Sequence, residues 1–275
     1  MAWCSSPRGN GSRTVTVEPG YTRFAGTQDP VTNNGQAATS ITLADRDGIM
    51  LKAVAPPPPP PGPPSDTVAY WAMDEGSGTT ASDSSGNGWT GTLTGGTSWV
   101  AGKPGQAVHF DGVSGRMSAG DIPSSSTMTW TFWMRTPTVP AYNVAYGLLD
   151  KYIGTNAKRE WRVFMMGEDI RLTIAPSTIS WYEERIATGF NAVANTWAHV
   201  AVVFNNGAFT AYKDGVAVAT NGDFTHTEIA NRTASVYAGY RQGGGEYFTG
   251  DMDEIRIYNR ALSSSEVQAI YAYGQ

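Results

Sequence analysis

The chain contains a single cysteine, Cys4, so no disulfide can form within it, and burial and hydrogen bonding must hold the fold. It has no run of 18 apolar residues, which excludes a membrane-spanning helix. Lys and Arg number 19 against 24 Asp and Glu, and the basic residues gather nowhere into a run. Neither a nucleic acid nor an anionic membrane is therefore an expected partner. Charge is sparse, at 16% of residues, while glycine reaches 32. That balance suits an all-β protein rich in turns better than a helical one. The opening, Met1-Ala2-Trp3-Cys4-Ser5-Ser6-Pro7-Arg8, lacks the basic stretch and apolar core of a secretory leader. Together with the organisation below, this reads as a piece of a longer secreted protein.

At 275 residues there is room for one large domain or two modest ones. Residues 1–54 alternate short β-rich runs (Thr14-Val15-Thr16-Val17, Ser40-Ile41-Thr42-Leu43, Gly48-Ile49-Met50-Leu51) with turns of Gly, Asn and Pro. They are too short and too polar to bury a convincing core alone, and read as a β-rich remnant of a preceding domain. Residues 55–65 carry six consecutive prolines, Pro56 to Pro61, then Gly62-Pro63-Pro64. Fixed φ and missing donors place such a run in polyproline II, a stiff spacer of roughly 28 Å at roughly 3.1 Å per residue.

From 66 to 275 strand follows strand. Met128, Trp130, Phe132 and Met134 share one face at period two, with Thr129, Thr131, Trp133 and Arg135 on the other. Trp197-Ala198-His199-Val200-Ala201-Val202-Val203-Phe204 is nearly all apolar, as a strand covered on both faces should be. Asn205-Asn206-Gly207 and Lys213-Asp214-Gly215 mark hairpin turns. Only the end looks helical, where Ser263-Ser264-Ser265-Glu266 matches a capping box. The pattern predicts an all-β, two-sheet antiparallel sandwich with a short C-terminal helix.

Several runs resemble a known family. These are Val68-Ala69-Tyr70-Trp71-Ala72-Met73-Asp74-Glu75-Gly76, Asp83-Ser84-Ser85-Gly86-Asn87-Gly88 and Gly105-Gln106-Ala107-Val108-His109-Phe110-Asp111-Gly112. Thr196-Trp197-Ala198-His199 and Tyr212-Lys213-Asp214-Gly215 follow, and the last is Gly250-Asp251-Met252-Asp253-Glu254-Ile255-Arg256-Ile257-Tyr258. In order and spacing they resemble the laminin-G-like, concanavalin A-like jelly rolls. The first zone (Pro19-Gly20-Tyr21-Thr22-Arg23-Phe24, then Asp45-Arg46-Asp47-Gly48) resembles the C-terminal β-domain of a bacterial glycoside hydrolase. The resemblance to jelly rolls implies a structural Ca²⁺ tying an early loop to a late strand, with Asp83, Asn87, Asp111 and Asp253 at the matching positions. Read locally, Asp83 serves an Asx-turn and Asp111 heads a turn with Gly112. An EF-hand is excluded, because its twelfth position is Thr94.

Complete catalytic sets are missing. Hydrolases of this fold carry a Glu-x-Asp-x-x-Glu strand, and Asp251-Met252-Asp253-Glu254 breaks that pattern. Glu183-Glu184 and Glu168-Asp169 also pair carboxylates, but only His109, His199 and His226 could serve a lyase, and the first two sit in framework strands. What remains is aromatic. Sugars stack their C–H faces on indole and phenol rings and pair their hydroxyls with polar neighbours. The candidate contacts are therefore Tyr142, Tyr146, Arg159, Trp161, Trp181, Tyr182, Tyr240, Arg241 and Tyr247. The expectation is a non-catalytic carbohydrate-binding module of a secreted bacterial polysaccharide-degrading protein. It would be monomeric, tethered to a catalytic domain, and would bind a polysaccharide or oligosaccharide. A protein-binding adhesion module, and a lyase or hydrolase on the same sandwich, are the competing readings.

Overall fold

The computed structural model divides the chain into two units, Met1–Pro60 and Pro61–Gln275. It describes residues 64–275 apart from 104, 153–158, 177–181 and 243–244, residue 159 by its backbone, and in the first unit the strand backbone only. The first unit contains β1 (Ala2–Ser5), β2 (Arg13–Thr16), β3 (Tyr21–Arg23), β4 (Ser40–Leu43) and β5 (Gly48–Ala53). Strand β5 pairs with β1 and β3, and β2 pairs with β4, all antiparallel. The polyproline spacer lies outside the described residues as far as residue 63.

The second unit opens with β6 (Ala69–Trp71), β7 (Thr80–Ala81), β8 (Gly91–Thr94), β9 (Thr97–Ala101), β10 (Gln106–Asp111) and β11 (Arg116–Ser118). Its middle holds β12 (Thr127–Arg135), β13 (Ala145–Tyr152), β14 (Arg159–Met166), β15 (Asp169–Ile174) and β16 (Glu183–Ala187). It closes with β17 (Ala198–Asn205), β18 (Ala208–Lys213), β19 (Val216–Val218), β20 (Val236–Ala238), β21 (Tyr240–Arg241), β22 (Glu246–Tyr247), β23 (Thr249–Tyr258) and helix α1 (Ser264–Tyr273).

Two antiparallel eight-stranded sheets face each other. One runs β19-β18-β17-β12-β23-β10-β9, with β6 also on β23; the other runs β16-β15-β14-β13-β20-β11-β8-β7. The period-two pattern explains the core. Met128, Trp130, Phe132 and Met134 of β12 meet Trp161, Val163 and Met165 of β14 and Ile170, Leu172 and Ile174 of β15 in one buried cluster. Burying a large apolar side chain in this way stabilises by about 1.5–3 kcal/mol. The two hairpins fall where the sequence puts them, with Asn206-Gly207 and Asp214-Gly215 all at positive φ, as type I′ turns require.

The opposite face of β12 is also covered. Helix α1 lays Val267 and Ile270 on Ala201, Val203 and Tyr258, and Tyr271 stacks on Trp133 at 5.6 Å. Alternation alone puts Thr129, Thr131 and Trp133 outside, yet all three are buried, Trp133 under the helix and Thr129 against the segment that leads into it. The helix begins at the expected capping box, with Ser263 and Glu266 exchanging side-chain and backbone hydrogen bonds. Arg260 then joins the two ends of the unit. Its Nε donates to Asp66 Oδ2 at 2.6 Å, and its Nη2 reaches both Asp66 Oδ1 at 3.0 Å and Glu266 Oε1 at 2.7 Å.

Candidate functional site

The outward face of the second sheet carries an open cleft, and strand alternation supplies its floor. With Trp161, Val163 and Met165 turned into the core, Arg162, Phe164 and Met166 of β14 face out. Thr173 of β15, Glu184 of β16 and Tyr152 of β13 join them. One wall comes from the hairpin of β21 and β22, which folds back over β13. Gly147 permits that approach, because a Cβ there would sit 2.7 Å from the backbone nitrogen of Arg241. The hairpin thereby brings Arg241 and Glu246 to the cleft. The enclosed volume is about 190 Å³. That is shallow beside the ~300–1,000 Å³ pockets that engulf small molecules, and suits a ligand lying on a surface.

Charges in the cleft come paired. Glu246 accepts one hydrogen bond on each oxygen, from Arg162 and, at 2.7 Å, from Arg241. Glu184 accepts from Arg171 at 2.8 Å. The Arg162 guanidinium lies 3.9 Å over the Phe164 ring, and that of Arg241 lies 5.5 Å over Tyr152. Beneath them Asp150 is fully buried, and neither of its oxygens has a hydrogen-bond partner. Its nearest cation is Arg162 Nε at 4.0 Å. Burial pushes the Asp150 carboxyl well above the usual carboxylate range, against the pull of Arg162 and Arg241. Burial likewise draws the Arg162 guanidinium down, opposed by Glu246. Beside the cleft Tyr240 and Tyr247 pair at 4.6 Å, and Tyr237 meets Tyr240 edge-on at 5.7 Å.

The candidate contacts inferred from sequence are distributed unevenly. Tyr182, 46% exposed, and Arg241 line the cleft, and Tyr240 and Tyr247 belong to its hairpin wall. Tyr146 packs instead on Phe248 at 6.0 Å. Tyr142 is exposed with its ring against the Gly167 turn, outside the cleft lining. Trp161, expected to be an exposed contact, lies within β14 and is buried against Trp130 at 4.9 Å, its Nε1 donating to Ser124 Oγ. Only an edge of it reaches the cleft. Arg159 pairs with Tyr152 through its backbone; its side chain, and all of Trp181, lie outside the described residues. As sugar contacts the sequence reading did not name Arg162, Glu246, Tyr152 and Phe164, and it met Glu184 only as half of a carboxylate pair. The signal for Arg162 was available, since a charged residue between Trp161 and Val163 in a strand must face away from the core.

A further charged group lies buried at one end of the cleft. Lys151 Nζ is 2.9 Å from Glu160 and 2.9 Å from Asp121, and Ser124 Oγ donates to Glu160 at 2.5 Å. On β16, Glu183 points elsewhere, taken by Thr225 and His226. His109 pairs with Asp251 at 2.7 Å on the other sheet.

The residues that the family resemblance proposes for calcium do not fit as a set. Asp83 already accepts four protein donors, from Tyr70, Ser85 (backbone and hydroxyl) and Trp89. Burial pushes its carboxyl up, but these hydrogen bonds hold it below the usual range. The Asn87 amide donates to Thr67 and Val68 carbonyls. Asp111 closes its own turn, accepting from the backbone of Ser114, Val113 and Gly115, which lowers its carboxyl strongly. Asp253 accepts from the backbone nitrogens of Lys103 and Glu254. No group of three or more His, Cys, Asp or Glu side chains able to hold a metal ion occurs among the described residues.

The comparisons agree with this architecture. No curated protein matches the sequence. Among solved structures, domain 4 of AbnA, a GH43 extracellular arabinanase from Geobacillus stearothermophilus, in complex with arabinotriose, is 22% identical with a TM-score of 0.60. That match covers 75% of this chain and 98% of the other. The binding domain of Paraclostridial Mosquitocidal Protein 1 is 15% identical with a TM-score of 0.60, covering 75% of this chain and 52% of that one. The binding domain of botulinum neurotoxin serotype G is 15% identical with a TM-score of 0.61, covering 75% and 50%. The chain thus spans about half the length of these two toxin domains, and at such identities the likeness is one of fold. The profile of the concanavalin A-like lectin/glucanases superfamily matches residues 110–268, more than half of the sequence, and the chain belongs to that superfamily.

Proposed function

We propose that the second unit binds carbohydrate through the cleft on its second sheet. The observation that carries this reading is one open trough that combines a half-exposed ring, Tyr182, with oriented arginine–carboxylate pairs. A pyranose or furanose offers an apolar C–H face to the ring and hydroxyls to the charged pairs. Binding of this kind would hold a longer secreted protein on its polymer and raise the effective concentration of a catalytic neighbour. The glycan-bound arabinanase domain is consistent with that role.

Affinity electrophoresis through gels containing a polysaccharide panel tests the reading. Retardation by at least one polymer is expected. Tyr182→Ala and Arg241→Ala should each weaken it by about tenfold, the scale of one lost stacking or charge-assisted contact. Tyr142→Ala, outside the cleft, should leave it unchanged. Loss with Tyr142→Ala and retention with the other two would move the site to the end of the sandwich.

A further inference from the structure

We infer that the cleft selects neutral, hydroxyl-rich glycans and rejects acidic ones; the inference rests on the cleft being the carbohydrate site. It comes from the layering of charge. In the pairs that turn outward, Arg171–Glu184 and Arg162–Glu246, the carboxylate is the more exposed partner, whereas the other partner of Arg162, Asp150, lies buried beneath it. Arg171 is 14% exposed and its Glu184 32%; Arg162 is 13% exposed and Arg241 25%, against 27% for their shared Glu246. A ligand settling into the trough therefore meets carboxylate oxygens first, with the guanidinium groups behind them.

Each ionised carboxylate has about four lone-pair directions. Arginine takes one on Glu184 and two on Glu246. The remaining directions need donors, and vicinal hydroxyls of an uncharged sugar supply them two at a time. The arginines fix the carboxylates in place, so little rotamer freedom is lost on binding. A uronate or sulfate would instead press like charge on Glu184 and Glu246. Among the described residues the lysine at the end of the cleft does not compensate, because Lys151 is fully buried between Glu160 and Asp121. Arg116 lies over the Tyr240 ring at 5.4 Å, outside the residues that line the cleft.

The test uses the whole chain in affinity gels of paired polymers: arabinan, xylan and dextran against polygalacturonate and dextran sulfate, with and without added sodium chloride. Retardation by a neutral polymer, insensitive to salt, with none by the acidic ones, is expected. Glu184→Gln and Glu246→Gln should each weaken neutral binding by about tenfold. Glu246→Gln, by releasing two guanidinium groups, should also create salt-sensitive retardation by polygalacturonate. Melting curves confirm that each variant is folded, and Glu184→Gln, at a more exposed position, carries the test if Glu246→Gln does not fold. Stronger, salt-sensitive retardation of the wild type by an acidic polymer would overturn the selectivity and leave carbohydrate binding standing. Wild-type neutral binding by both folded variants would overturn the role of the two acceptors. Failure to bind any polymer of either charge would instead overturn the underlying carbohydrate reading.

Discussion

The outer faces of the two sheets start from the same alternation and end as opposites. On the first sheet, Trp133 and His199 turn outward, and helix α1 closes over them. Trp133 contacts His199 at 5.4 Å and Tyr271 at 5.6 Å, and His199 is left with neither ring nitrogen hydrogen-bonded. On the second sheet, Arg162, Arg171 and Glu184 turn outward, and among the described residues the hairpin of β21 and β22 walls one side and leaves a trough. The difference teaches that outward residues of a sandwich disclose their fate by chemistry. Aromatic ones recruit a lid and become structure, whereas charged ones in pairs stay accessible and can serve a ligand.

The largest expected effect breaks the covered face. Trp133→Ala removes the ring that Tyr271 and His199 pack on and should cost about 3–5 kcal/mol, the usual range for a buried aromatic. Urea denaturation measures it. An effect below about 1 kcal/mol, the typical cost of an average substitution, would show that the helix is not a working lid.

A smaller effect sharpens the contrast through pH. Asp253 lies opposite Trp133 across β12 and β23. Burial, with Glu254 and Asp74 adding repulsion, pushes its carboxyl up to about 8. Above the unfolded value of about 3.9, the unfolded chain has released a proton that the folded protein still holds. Stability attributable to this group therefore falls as pH rises, by about 1.4 kcal/mol per unit, until pH reaches about 8. Asp150 acts in the same direction. Glu266 opposes them: hydrogen bonding to Arg260 lowers its carboxyl to about 2, so its contribution is lost as pH falls below about 4 towards that value. Melting temperature should accordingly peak at mildly acidic pH and decline towards pH 8, with a shallower decline in Asp253→Asn. An identical slope in that variant would remove Asp253 from the account. His199, which burial draws down to about 3, opposes Asp253 and Asp150 too: below about pH 6.5 the unfolded chain takes up a proton that the folded protein does not, so stability from this group is lost as pH falls from there towards 3.

The smallest expected effect is none. Asp83, Asn87 and Asp111 are already engaged by protein hydrogen bonds, so dialysis against EDTA should leave the melting midpoint unchanged. A rise in midpoint on adding calcium would show that other oxygens assemble a site.

Much of the fold was legible in the sequence because its determinants are local. Period-two alternation set the inward row of β12, Asn206-Gly207 and Asp214-Gly215 set two hairpins, and Ser263 with Glu266 set the start of the helix. The site was legible only in part. Trp161 looked available because Arg159 and Glu160 precede it, yet in a strand the adjacent residues Glu160 and Arg162 occupy the opposite face and say nothing of exposure. Tyr182 and Arg241 were identified from their own surroundings. Glu246 acquires its role only when the hairpin lies back across Gly147, almost a hundred residues earlier in the chain. No local pattern carries that contact.

Arg260 gives the second unit a mechanical property. A module that grips a polymer while its chain is dragged is loaded through the residues that precede β6, and this short strand would be the first to peel from β23. The fork of Arg260 stands ahead of it, holding Asp66 with two bonds and Glu266 of the helix with two more. Tension arriving from the N-terminal side is thus shared with the C-terminal helix before any strand is sheared. A pull that might unzip the sandwich from its edge must first open a clasp between its two ends.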